Sequence, residues 1–263
     1  MHRAGYLTCV VFTLTVAPCL AGPYAPAAGQ PGTTAVAKND PTIVGWATGY
    51  QNYQIGANVD ATWQTPTKAL GPAVGDSFDI VGLGNGGQIT LTFAQSITNG
   101  PGNDFAVFEN GFGDTFLELG YVEVSSNGAD FFRFDNDSLT AAPVSAFGSV
   151  DPTNLDGLAG KYRQGFGTPF DLAALAGVSP LLDTSHIGYV RILDIVGDAT
   201  YRDTSGNPIY DLYPTTGSGG FDLDAVAVIH AVPEPASVMM LAVGMLTALI
   251  ARRRRRRSSI QTI

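Results

Sequence analysis

Cysteine is almost missing from this chain, and the two present, Cys9 and Cys19, both fall within the first twenty residues. Met1-His2-Arg3 brings a positive charge, Ala4 to Ala17 is a short apolar run, and small residues follow at Cys19-Leu20-Ala21 and Ala25-Pro26-Ala27. That succession is the pattern of a secretory signal peptide over residues 1–21, with cleavage expected after Ala21 or as late as Ala27. Pro18 before Cys19 speaks against lipoprotein processing, which wants a small residue there. Once this segment is removed no thiol remains, which excludes thiol catalysis, cysteine metal ligands and disulfides. About 200 residues bury enough apolar surface to fold without such staples.

Histidine is nearly as scarce. Beyond His2 only His186 and His230 occur, too few and too scattered for a three-His zinc site or a zincin helix, and His230, at the end of the last strand, reads as a structural histidine. A serine nucleophile elbow needs G-x-S-x-G, and the motif does not occur. No glycine-rich phosphate loop leads into a helix, so a nucleotide site is not expected. Positive charge is also thin: residues 22–233 carry 22 acidic and seven basic side chains, about −15. Such a surface repels nucleic acid and anionic polysaccharide and attracts divalent cations.

The acids present are 19 aspartates against four glutamates. Aspartate favours turns and cation loops, glutamate favours helix surfaces, so the ratio points to β structure. Residues 22–41 are rich in Ala, Pro, Gly and Thr and read as a linker. Residues 42–231 form the expected domain, with strands over residues 43–50, 78–81, 88–93, 105–109, 117–125, 131–134, 187–196 and 221–230. Gly84-Asn85-Gly86-Gly87 and Ser126-Asn127-Gly128 are turn signals. Only Asp171 to Ala176 looks helical. Ile89, Leu91 and Phe93 share one strand face, with Thr90 and Thr92 on the other, exposed face of a half-exposed strand, whereas the last strand is apolar on both faces after Asp224 and belongs in a sheet centre. The expected fold is all-β, an antiparallel β-sandwich of jelly-roll type, with an N-terminal signal peptide and a C-terminal transmembrane helix.

Oxygen-bearing side chains alternate at Asp203, Ser205, Asn207 and Asp211, with the Ile209 carbonyl between them. The spacing resembles the first nine positions of an EF-hand loop, but Pro208 and Pro214 break the match, which leaves a looser calcium loop. Asp222 and Asp224, two apart on the last strand, are a second candidate calcium pair. Val226 and Val228 are expected to continue their face. Trp46, Tyr50, Tyr53 and Trp63 cluster near the start of the domain and could stack on a sugar or cover a sheet edge. Glu109, Glu118 and Glu123 are the acids a glycosidase would use.

The end of the chain is the most specific stretch. Val232, Pro233, Glu234 and Pro235 precede an uncharged apolar run, residues 236–251, followed by Arg252, Arg253, Arg254, Arg255, Arg256 and Arg257. As a helix the run is about 24 Å long, slightly short of a ~30 Å hydrocarbon layer, and arginine stems can cover part of the deficit. The arginines stay on the cytoplasmic side, which places the domain outside. This ordered triple resembles the PEP-CTERM sorting signal of Gram-negative bacteria. The resemblance implies processing by exosortase, a membrane-embedded cysteine peptidase, and an exported protein of a species that often makes exopolysaccharide. The Asp104–Asn110 and Gly220–Val226 segments also resemble secreted bacterial cell-surface domains, and the fold resembles galactose-binding-like jelly rolls. The expected function is non-catalytic: a cell-surface or matrix protein for adhesion, sugar binding or structure, with calcium as its cofactor. The alternatives are a secreted carbohydrate-active enzyme, hydrolase or lyase, and a protein left anchored in the inner membrane.

Overall fold

The computed structural model describes residues 21–233. Residues 1–20 of the expected signal peptide, Glu234 and Pro235, the apolar run and the arginine cluster lie outside the described residues. No helix among the described residues is long and apolar enough to cross a membrane.

Thirteen strands are described, in chain order β1 (Val36–Ala37), β2 (Gly45–Trp46), β3 (Gly49–Gln54), β4 (Val81–Gly82), β5 (Gln88–Ile97), β6 (Phe105–Glu109), β7 (Gly120–Ser125), β8 (Phe132–Arg133), β9 (Asp137–Ser138), β10 (Leu155–Asp156), β11 (Phe166–Phe170), β12 (Ile187–Asp194) and β13 (Asp222–Val228). One sheet runs β1-β11-β6-β13-β2, with β4 also on β13, and a second runs β3-β5-β12-β7-β8. Every pairing of these strands is antiparallel. The fold is therefore all-β.

Strand periodicity explains how the two sheets meet. Ile89 and Leu91 of β5, Val122 and Val124 of β7, and Val190 and Ile192 of β12 enter one buried cluster with Phe105 and Val107 of β6 and Val226 and Val228 of β13. Alternate side chains of each strand thus face the other sheet, which makes a sandwich. Phe105 stacks on Phe170 at 5.3 Å between ring centroids and tilts against Phe134 at 5.8 Å, closing one end of this core. The outer faces are covered as well. Tyr121, Leu117 and Leu119 pack under Leu155 of β10 and under Val150, Leu158 and Ile209 from connections. Ala106, Phe108, Ala225 and Ala227 pack under Val36 and Ala73. Double coverage is why β6, β7 and β13 are buried at every residue.

Several expectations change. Thr90, assigned to an exposed face, is fully buried, since β5 lies between β3 and β12 beside Gln51 and Arg191. Asp171–Ala176 is a single 3-10 turn over Leu172–Leu175, with the Asp171 carboxylate accepting from the Ala173 N–H at 2.8 Å. Residues 22–41 are not a free linker. The Tyr24 N–H donates to the Thr153 carbonyl at 3.1 Å, the Tyr24 hydroxyl bonds Asp137, Ala28 is buried, and β1 pairs with β11. Composition misled here because Ala, Gly and Thr can line a sheet edge as readily as a spacer. β11 itself was hidden by Pro169, which has no N–H to donate and lies beyond the end of β1, where β11 is an edge.

Candidate functional site

Four strand ends converge at one end of the sandwich. β6 ends in Glu109, β12 ends in Asp194, β13 begins with Asp222, and Glu118 precedes β7 by two residues. Antiparallel pairing puts Glu109 opposite Leu223, and Asp194 opposite Gly120, so these carboxyls are neighbours although the chain separates them by up to 113 residues. All four are buried.

Local sequence sets each one. Leu117 and Leu119 anchor in the outer cluster, so Glu118 between them turns to the opposite side. The backbone there is tightly shared: the Leu119 N–H donates to Asp211 Oδ2 at 2.9 Å, and Gly160 passes so close that a Cβ would stand 1.8 Å from the Glu118 carbonyl oxygen. Gly160 also has φ of +82°, a conformation that glycine adopts without strain. Asp194 ties the Gly84–Gly87 turn to the start of β13, accepting the Gly86 N–H at 2.7 Å and the Phe221 N–H at 2.6 Å. Asp222 Oδ2 accepts from Asn110 Nδ2 at 3.3 Å, while Oδ1 is buried without a partner. Glu109 is similar: Oε2 accepts the Gly111 N–H at 2.7 Å and Oε1 has no partner.

Burial dominates the electrostatics. It pushes the Glu109 and Glu118 carboxyls well above the usual carboxylate range, and the nearby Asp222 raises both further. Burial raises Asp222 to about 7, against hydrogen bonds from Ser218 and Asn110, and Asp194 to about 7, against its two backbone N–H donors. Asp211 is driven up in the same way, by burial and then by Asp194. Burial thus favours the protonated form of the carboxyls at this end of the sandwich.

Glu118 and Asp222 floor a pocket of about 270 Å3, which Phe112, Phe116 and Phe147 frame and Thr215, Thr216 and Ser218 wall. Phe112 and Phe147 are 60% and 92% exposed. Phe112 leans on Phe116 at 5.0 Å.

The residues expected from sequence fall in different places. Asp203 closes its own turn: Oδ1 accepts the Asn207 N–H at 2.7 Å, and Oδ2 accepts Asn207 Nδ2 at 3.1 Å and the Ser138 N–H at 3.2 Å. Burial raises its carboxyl, but these bonds outweigh it and leave it below the usual range. Asp211 instead faces Leu119. Asp222 and Asp224 part company because β13 is bulged between Leu223 and Ala225. Leu223, Val226 and Val228 therefore share the inner core, so Val226 and Val228 do not continue an Asp222–Asp224 face. Asp224 accepts the Val74 and Gly75 N–H groups at 3.0 and 2.8 Å, and burial still raises it to about 6. Among the described residues no three His, Cys, Asp or Glu side chains are grouped to hold one metal ion.

Of the aromatic quartet, Trp46 on β2 packs on Phe108 at 5.5 Å and Trp63 stacks on Phe78 at 6.5 Å. The Tyr53 hydroxyl donates to the Gly82 carbonyl at 2.7 Å, and Tyr50 is exposed on β3 in the other sheet from Trp46. Glu123 stands apart from Glu109 and Glu118, between Arg191 and Arg133. Sequence named Glu109, Glu118 and Asp222 separately. It missed Asp194, Phe112, Phe116 and Phe147, whose association follows only from which strand ends meet.

The tail begins inside this structure. Ala231 bridges to Ile97, and the Val232 N–H donates to the Ser96 carbonyl at 2.9 Å. Comparison with protein families matches the PEP-CTERM protein-sorting motif to residues 231–256. No curated protein and no solved structure matches the chain. The chain therefore carries a PEP-CTERM sorting motif, which supports an exported protein sorted through exosortase.

Proposed function

We propose that this protein is a non-catalytic component of the cell surface or extracellular matrix, a sandwich of jelly-roll type that adheres, binds sugar or builds structure. The observation that carries this reading is the continuity between domain and tail. The sorting motif opens three residues after β13 ends, with Val232 still hydrogen-bonded to β5, so the sandwich is the cargo that the tail addresses. Exosortase is the processing partner, and a neutral exopolysaccharide is the surface partner that a −15 domain does not repel. Calcium enters as a stabiliser at the Asp203–Asp211 stretch, where Asp203 keeps an ionised carboxylate beside Asn207.

The test is fractionation of cells that make the full chain, against a variant lacking residues 232–257. Surface recovery of the first and its loss in the second is expected. Equal surface recovery of both would remove the tail from the account. The carbohydrate-active alternative draws on the paired Glu118 and Asp222, and sugar turnover by purified protein would favour it.

A further inference from the structure

We propose that the pocket framed by Phe112, Phe116 and Phe147 binds one neutral sugar ring, whose hydroxyls are held by Glu118 and Asp222. This deepens the surface-protein reading above and rests on it.

The floor calls for a hydroxyl donor. Asp222 and Glu118 are 1% and 6% exposed and both line the pocket, and Asp222 is under-bonded: Oδ2 accepts from Asn110 at 3.3 Å, and Oδ1, on the Gly82 side, has no partner. Buried carboxyls with few hydrogen bonds gain from a donor, so a ligand that donates to this floor gains more than one that only fills space. A purely apolar ligand would bury Asp222 and Glu118 still deeper with nothing to bond. An anion would meet two carboxyls.

Walls and rim fit the same ligand. Thr215, Thr216 and Ser218 offer hydroxyls that both donate and accept, as sugar hydroxyls do. The two exposed phenylalanines supply apolar ring faces against which the C–H face of a pyranose can pack. Exposed rings over buried polar groups are the usual composition of a small-molecule site. The volume, about 270 Å3, lies just under the range of drug-sized pockets, about 300–1,000 Å3, which suits one ring and not a chain of rings.

The carboxyls also match the ligand electrically. Burial raises the Glu118 carboxyl well above the usual carboxylate range and Asp222 to about 7, so near neutral pH Asp222 can donate as well as accept without holding a full buried charge.

The experiment is a thermal melt and titration calorimetry of the full chain with the methyl glycosides of glucose, galactose and mannose, and separately with calcium chloride. Two variants accompany it: Phe147→Ala, whose side chain is almost wholly in water, and the near-isosteric Asp222→Asn. At least one glycoside should raise the melting temperature, and each variant should weaken it about tenfold or more. No shift with any glycoside, or one kept intact in both variants, overturns the pocket while leaving surface delivery untouched. A calcium shift lost in Asp222→Asn, without a glycoside shift, overturns it in favour of a cation. Release of nitrophenol from the matching nitrophenyl glycoside, lost in Glu118→Gln, upholds the pocket and overturns the non-catalytic reading.

Discussion

Arg191 and Glu123 face each other across the β7–β12 pair, the guanidinium Nε donating to Oε2 at 2.7 Å. Arg133 on β8 takes the other oxygen, Oε1, through Nε and Nη2 at 3.0 and 2.8 Å. Each guanidinium also lies over a ring at 3.8 Å, Arg191 over Phe131 and Arg133 over Tyr121. This arrangement staples three strands of one sheet through one acid. Glu123→Gln should cost about 1–2 kcal/mol, a modest figure because both guanidiniums are partly in water. The melting temperature should fall by roughly 2–8 °C, measured by calorimetry, with the fold retained.

Acidity should stabilise the protein over a window where many proteins weaken. Asp194 and Asp222 sit near 7 and Asp224 near 6, with Glu109, Glu118 and Asp211 also raised, all chiefly by burial. An acid whose folded pKa exceeds its unfolded value stabilises fully below the unfolded pKa, near 4, and loses that contribution as pH rises through the folded pKa. Stability should therefore fall between about pH 4 and 8, by several degrees in melting temperature. Asp40, Asp76, Asp183 and Asp203 are lowered by hydrogen bonds and act oppositely, so the gain should reverse below about pH 4. Asp194→Asn should flatten the slope between pH 5 and 8. A flat profile in the parent protein would refute the buried-proton account.

The N-terminus of the exported protein should lie at Gly22. Its N–H donates to Thr153 Oγ1 at 2.7 Å, and Tyr24 bonds Asp137 and Thr153. Cleavage after Ala27 would strip these contacts, so intact-mass measurement should find residues 22–27 present. Tyr24→Ala should lower stability by about 1–2 kcal/mol through the lost hydroxyl hydrogen bond.

Gly160→Ala should damage the carboxyl end of the sandwich. The added Cβ would stand 1.8 Å from the Glu118 carbonyl, at a φ that side chains rarely adopt. A loss of about 3 kcal/mol or more is expected, seen as insoluble expression or a collapsed melting temperature. Gly177, also at positive φ but with nothing near its Cβ, is the control and should cost far less.

Calcium should stabilise the purified protein relative to chelator by about 2.7 kcal/mol at a hundredfold excess over its dissociation constant, read as a higher melting temperature. Asp203→Ala should remove the shift. An identical melt in chelator and in calcium would end the proposal.

What the amino-acid order determined by itself was local or periodic. The sorting motif is a contiguous string, so it was legible without a fold. The strands of β5, β6, β12 and β13 were legible because alternation and unbroken apolar runs record burial residue by residue. His230 read as structural, and it bonds Asp104 Oδ1 at 2.8 Å. Tertiary structure alone decided which strand ends meet. Nothing near Glu118 announces Asp222, because the two belong to different sheets, a hundred residues apart, and meet only at the end of the sandwich. A one-residue bulge at Asp224 likewise reset the faces of β13, because strand faces repeat every two residues and one extra residue inverts every face beyond it.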